Sequence, residues 1–230
     1  GIAYRRHSQL ATGWPALSAV SVAALCLALG LQSGLYHQQQ IAAYAPHQEL
    51  TNMPLADWWR NAWDQLPRLR ADTRGRGEHP FNLQYAGGLG ALQQTLEPAG
   101  WRPAQTLGWR NLLHLLTPSL ALQELPVLPQ VHDGRHESLA LEKPLGDGER
   151  LVLRLWPADI RLQPGREPLW LGNVSAQAQR RMLRLFNFPE TLGKFDAART
   201  QLIEDSRALR QRVPTAADGI GPALIDGTED

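Results

Sequence analysis

The sequence predicts an α+β protein: one N-terminal transmembrane helix, then a small antiparallel sheet with flanking helices. Three observations predict it. Residues 14–36 contain no charged side chain. Between residues 137 and 174, short stretches of alternating apolar and polar residues are separated by glycine- and proline-containing turns, the period of two expected of strands. From Phe195 onward apolar residues recur at helical spacing.

The opening segment comes first. A helix over 14–36, at about 1.5 Å per residue, spans the roughly 30 Å hydrocarbon core of a bilayer. Trp14 and Tyr36 stand at its two ends, where amphipathic rings favour the interface. Pro15 suits a first turn that needs no amide donor. A cleaved secretory signal has a shorter apolar core. A lipoprotein signal needs a small residue before Cys26, where Leu25 stands. A buried soluble helix of this length shows a polar stripe, and none is visible. Arg5 and Arg6 precede the segment, and no Lys or Arg follows it until Arg60, so the positive-inside rule holds the N-terminal side in the cytoplasm. The globular part is expected outside it, in the periplasm of a Gram-negative cell. "GIAYRRH" reads as the end of a preceding apolar segment, so the chain is expected to be the C-terminal piece of a larger bacterial membrane protein.

Charge is unevenly placed. The net charge is +1, the stretch from Val213 carries four acids and no base, and the middle of the chain is modestly basic. Nothing in that balance argues for nucleic acid. The single cysteine, Cys26, lies in the apolar segment. A disulfide framework, a cysteine zinc site and a cysteine nucleophile are therefore excluded from the globular part.

Residues 37–56 form a linker. "PLADWWRNAWDQLPRLR" places Trp58, Trp59, Trp63 and Leu66 at helical spacing; the tryptophans either pack on the domain or rest on the membrane interface. "PFNLQYAG" is a strand. "GLGALQQTLEPAGW" is a helix with Leu89, Leu92 and Leu96 on one face, stopped by Pro98 and Gly100. Its glycines do not make a phosphate-binding fingerprint. "WRNLLHLL" (109–116) is a further short helix. "ESLALEK", "RLVLRLW" and "PLWLGNV" are expected to form an antiparallel meander, turning at Gly146–Gly148 and at Pro164–Gly165. In the middle strand Leu151, Leu153 and Leu155 face one way; Arg150, Val152, Arg154 and Trp156 face the other. "KFDAARTQLIEDSRALRQR" is an amphipathic helix with Phe195, Ala198, Leu202 and Leu209 on its apolar face and Asp196/Arg199 and Glu204/Arg207 as i,i+3 pairs. Residues 213–230 read as an acidic disordered tail.

Two polar constellations compete for chemistry. "VHDGRHES" sets His132 and His136 four apart beside Asp133, Arg135 and Glu137. On a helix that spacing would converge two imidazoles on a metal or an acid–base site. Asp133–Gly134 favours a hairpin turn instead, in which the spacing carries no such meaning, and neither a metal nor a cofactor is expected. Alternatively Arg135, His136, Arg154 and Arg161 form an anion site reading a phosphate through charge-assisted bonds, provided Arg154 lies on an open sheet face. No G-x-S-x-G motif supports a serine hydrolase.

The blocks "HPFNLQYAGGLGALQQTLEPAGWRPA", "LPVLPQVHDGRHESLALEK", "LVLRLW" and "GREPLWLGNV", with "FDAARTQLIED" after them, resemble the LssY C-terminal-like domain. That domain is often appended to bacterial membrane proteins of the type-2 phosphatidic acid phosphatase superfamily, sometimes with a DedA-type membrane domain ahead. The resemblance covers roughly residues 58–212, within an expected globular domain at 57–212. It implies no activity of the domain's own, and the phosphatase motifs (K-x-x-x-x-x-x-R-P, P-S-G-H and S-R-x-x-x-x-x-H-x-x-x-D) are not in these residues. The expected role is a membrane-tethered accessory or binding domain beside a lipid phosphatase, with the bilayer, a phosphorylated lipid or the phosphatase domain as partners. The alternatives are an independent hydrolase built on the His132–His136 loop and a purely structural interaction module.

Overall fold

The chain divides into two units, Gly1–His47 and Gln48–Asp230. The structure, a computed structural model, describes residues 50–71, 77–105, 125–146, 148–182, 186–217 and 219–228, all in the second unit. The expected membrane span at 14–36 and the expected helix at 109–116 lie outside them. Among the described residues no helix is long and apolar enough to cross a membrane.

A nine-stranded sheet organises the second unit. Its strands, in chain order, are β1 (Thr51–Pro54), β2 (Leu83–Ala86), β3 (Arg102–Pro103), β4 (Leu139–Pro144), β5 (Glu149–Gln163), β6 (Glu167–Met182), β7 (Phe186–Thr191), β8 (Arg210–Arg212) and β9 (Ala223–Asp226). Side by side they run β8-β9-β2-β6-β5-β4-β3, with β1 added to β5 and β7 to β6. The expected meander is β4-β5-β6, antiparallel throughout. Its first turn uses Gly148 at φ 75° and its second Arg166 at φ 60°.

The sheet is larger than expected and mixed. β1 pairs parallel with the far end of β5, and β9 pairs parallel with β2. Both are short strands brought to the sheet from distant parts of the chain, which no local pattern announces. The largest correction concerns the residues expected to be a disordered tail. β9 lies between β8 and β2, and Ala223, Leu224 and Ile225 are fully buried. The acids that suggested disorder include Asp226, itself buried and 3.5 Å from Arg210.

One face of the sheet carries the main core. Leu151, Leu153 and Leu155 of β5 join Leu83, Tyr85, Val174 and Ile225 there, packed against α2 (Leu89–Leu96) and α3 (Phe195–Asp205). Gly172 faces this core, where a Cβ would come within 2.7 Å and 2.8 Å of the Leu155 and Leu83 methyls; the close approach requires glycine. The helix expected to continue past Asp205 ends there. Ser206 hydroxyl donates back to the Leu202 carbonyl at 2.7 Å, the local competition that bends or stops helices. Residues 210–212 then extend into β8. Arg199, expected on the solvent face, is buried; it donates to the Gly221 carbonyl and to Asp196, both at 2.9 Å.

The opposite face has two coverings. Toward one end, α1 (Leu55–Arg60) and the 3₁₀ turn Ala62–Gln65 bring Trp58 and Trp63 onto Leu169, Leu162 and Leu224. The Trp58 indole donates to Gln84 at 2.8 Å. These tryptophans pack on the domain. Toward the other end, residues 125–137 cover Arg150 and Arg154.

Candidate functional site

Alternation along β5 places Arg150, Val152, Arg154 and Trp156 on the second face. Register sets Gln177, Ser175 and Asn173 of β6 opposite Arg150, Val152 and Arg154, and Glu142 of β4 opposite Val152. This is a patch of polar residues in the middle of a sheet, and it is sealed. Arg150 and Arg154 are each 1% exposed and Glu142 is 1% exposed.

The covering strap is "LPVLPQV", residues 125–131. Pro126 and Pro129 fix φ and remove two amide donors that would otherwise need partners here. Three arginines grip it by its carbonyls: Arg150 donates to Leu125 at 2.7 Å, Arg154 to Leu128 at 3.3 Å and Arg70 to Val131 at 2.6 Å. The carbonyls recur every third residue, the period of a polyproline II helix, whose backbone makes no internal hydrogen bonds. The strap's acceptors are thus free to satisfy guanidinium groups that would otherwise be buried without partners.

Ion pairs run within this layer. Arg150 donates to Glu142 at 3.0 Å and to Gln177 at 3.1 Å. Glu142 also takes Arg102 at 3.0 Å, from a side chain half exposed at the rim. Arg154 Nε lies 3.8 Å from Glu137, too long for a hydrogen bond, and Glu137 instead accepts from the Gln130 amide at 2.9 Å. Burial pushes the Arg154 guanidinium down to about 10; Glu137 opposes the shift and Arg150 and Arg70 add to it. It is still charged at neutral pH. Burial also lowers Arg150, against the pull of Glu142.

Among the described residues, several donors in the patch lack an acceptor. Arg154 uses Nη2 on the strap, while Nε and Nη1 have no hydrogen-bond partner; neither do Trp156 Nε1 and Ser175 Oγ. Each buried polar group left so costs about 1–3 kcal/mol.

The "VHDGRHES" segment is the hairpin its Asp-Gly pair suggests. Val131–His132 and Arg135–His136 are two-residue strands, and Asp133 and Gly134 turn at φ 47° and 76°. Val131 pairs with His136 and His132 with Arg135, so the two histidines occupy opposite faces of the ribbon. His132 is buried edge-on against Phe81 at 4.8 Å between centroids, and its Nδ1 accepts from the Ala71 amide at 3.2 Å. His136 is exposed. Among the described residues no three His, Cys, Asp or Glu side chains are placed to hold a metal ion.

Burial, followed by Arg135 and Arg70, holds the His132 imidazole below its ordinary 6.5, against Asp133 and Asp159. The unfolded chain therefore takes up this proton at a higher pH than the folded one. Stability from His132 is complete above about pH 6.5 and falls as pH drops below it. Urea midpoints between pH 7.5 and 5.5 are expected to fall in the natural protein and to fall less in His132→Asn. Equal slopes would show that His132 is not the group responsible.

The four residues expected as an anion site are not gathered on one open face. Arg135 forks onto Asp159 at 2.8 Å and 2.7 Å, and Asp159 is presented by a bulge in β5, at φ 56°. His136 points to solvent. Arg161 sits near the β5–β6 turn with the Arg166 carbonyl at 3.5 Å. Arg154 lies beneath the strap. The expectation of an open face at Arg154 is overturned, because residues 125–137 fold back over that side of the meander. Arg150, Glu142, Glu137 and Arg70, its actual neighbours, were not singled out as a site from sequence, although Arg150 shares the predicted strand face.

A family model described as "LssY C-terminus" matches residues 63–215. No curated protein and no solved structure matches the chain.

Proposed function

The chain belongs to the LssY C-terminus family, and on that premise we propose that it is an accessory binding domain of a lipid-phosphatase-type membrane protein, recognising a phosphorylated group without turning it over. In this reading residues 14–36 tether the domain, and Arg5 and Arg6 place it on the extracytoplasmic side. The observation that carries it is the disposition of the two histidines. A hydrolase that used the two histidines together would bring both imidazoles to one reacting atom; here one is held between aromatic rings and the amide of Ala71, and the other faces away. Arg154, by contrast, is turned inward with two guanidinium nitrogens that have no hydrogen-bond partner among the described residues.

The test uses the unit from Gln48 onward, added to neutral vesicles with and without phosphatidic acid. It is expected to sediment with the acidic vesicles and to release no phosphate from them. Release that His136→Ala abolishes would establish the hydrolase instead. Equal sedimentation with both vesicles would overturn recognition and leave the structural interaction module.

A further inference from the structure

Three arginines meet at the C-terminal end of α1. Arg210 and Arg212 are two apart on β8 and so share a strand face, the one turned to α1. Gln211 between them points the other way and donates to the Ile203 carbonyl of α3 at 3.1 Å. Arg210 lies over the half-buried Trp59 ring, 4.2 Å from its centroid. Arg212 donates to the Trp59 carbonyl at 2.6 Å and to the Arg60 carbonyl at 3.5 Å, two of the last carbonyls of α1, which have no partner within the helix. Arg60 ends that helix and is exposed. Capping accounts for Arg212 but not for the other two. Among the described residues Arg60 and Arg212 pair with no carboxylate, Asp57 of α1 included. Arg210 has Asp226 at 3.5 Å, a buried acid that also accepts from Thr228, yet its side chain stays 61% exposed. Stacking on Trp59 holds that guanidinium in place while its edge keeps N–H groups for oxygens in its plane.

We propose that this surface, made of Trp59, Arg60, Arg210 and Arg212, docks on a bilayer through the phosphates of anionic lipids. Guanidinium groups meet phosphate oxygens with charge-assisted bonds. Two features select a bilayer over an acidic protein segment. The first is composition. A tryptophan lies under the arginines, and Val213, next in the chain after Arg212, is 41% exposed. Indole, guanidinium and an exposed apolar side chain together suit the headgroup layer. The second is connection. β1 runs directly into α1. In the tethered reading only residues 37–54 separate the span from that helix, at most about 3.3–3.6 Å each. The inference rests on the accessory-domain reading for its partner, and it names the surface that meets the lipid.

The experiment is hydrogen exchange of the full chain with phosphatidylcholine bilayer discs, with and without phosphatidylglycerol. Amides of α1 and β8 are expected to exchange more slowly with the acidic discs than with the neutral ones, and the difference is expected to shrink as salt rises. An arginine near an acidic surface is worth about fivefold in association. Arg60→Gln and Arg210→Gln are therefore each expected to cut the protection several-fold, and the double change to remove it. Arg60→Gln takes away no hydrogen bond among the described residues, so the result does not depend on a variant that fails to fold. Lysine at both positions keeps the charge and is expected to keep the protection. Arg207→Gln, whose partner is Glu204, is expected to behave as the natural chain does. Equal exchange with both discs, or unchanged protection in the double glutamine variant, overturns the surface. Slowing by a polyglutamate peptide but not by acidic discs makes the partner an acidic protein segment and overturns it too. If the double variant still sediments with phosphatidic acid vesicles, the accessory-domain reading stands without this surface. If the natural chain neither gains protection nor sediments, both fall.

Discussion

Glu142→Gln is expected to destabilise the protein by about 3–5 kcal/mol, the cost of leaving a buried charge without its partner. Arg150 is 1% exposed and its Nη1 donates to Glu142 at 3.0 Å. The amide keeps the shape and removes the countercharge that Glu142 supplies to Arg150. For a domain of this size a loss of that magnitude lowers Tm by roughly 10 °C. Urea denaturation measures it directly, as a fall in midpoint without a change in slope. A double change, Arg150→Met with Glu142→Leu, removes both charges and is expected to recover most of the loss, since well-packed apolar replacements of a buried pair are often neutral. A loss below about 1 kcal/mol in Glu142→Gln, the value of a solvated pair, would show that water reaches this layer.

Ending the chain at Pro222 is expected to abolish cooperative unfolding of the domain. β9 supplies the ladder between β8 and β2, and its removal exposes the edge of β2 and strands β8. Leu224 and Ile225 are fully buried on opposite faces, in the second-face cluster and the main core respectively. Their burial alone is worth about 3–6 kcal/mol, a large part of the 5–15 kcal/mol that a domain has in total. Circular dichroism of the shortened chain against temperature is the measurement. A sharp transition at the natural midpoint would return residues 223–226 to the status of a dispensable tail.

How far the sequence could be read depended on whether a signal was local. The β4-β5-β6 meander was legible, because a period of two with glycine and proline at its turns is written in adjacent residues. So were the Leu92 and Leu96 face of α2 and the Asp133–Gly134 turn, which needs positive φ at both positions. The end of α3 was missed because Leu209 keeps the helical spacing while the chain already leaves the helix at Ser206. β1 and β9 were missed because four-residue strands have too few positions to show a period, and their partners lie about 110 and 140 residues away. Acidic composition near Asp226 then outweighed the apolar "ALI" beside it.

Alternation by itself determined that Arg150 and Arg154 share a strand face with Trp156, and the succession of sequence blocks determined the family. Only the tertiary structure decided that this face is an interior. An arginine on a sheet is a solvated residue or a buried one according to what crosses above it, and here a proline-spaced strap crosses, its carbonyls taking the guanidinium hydrogens. Burial and charge balance are sums over neighbours distant in sequence, which is why the unpartnered donors of Arg154 come into view only once the chain is folded.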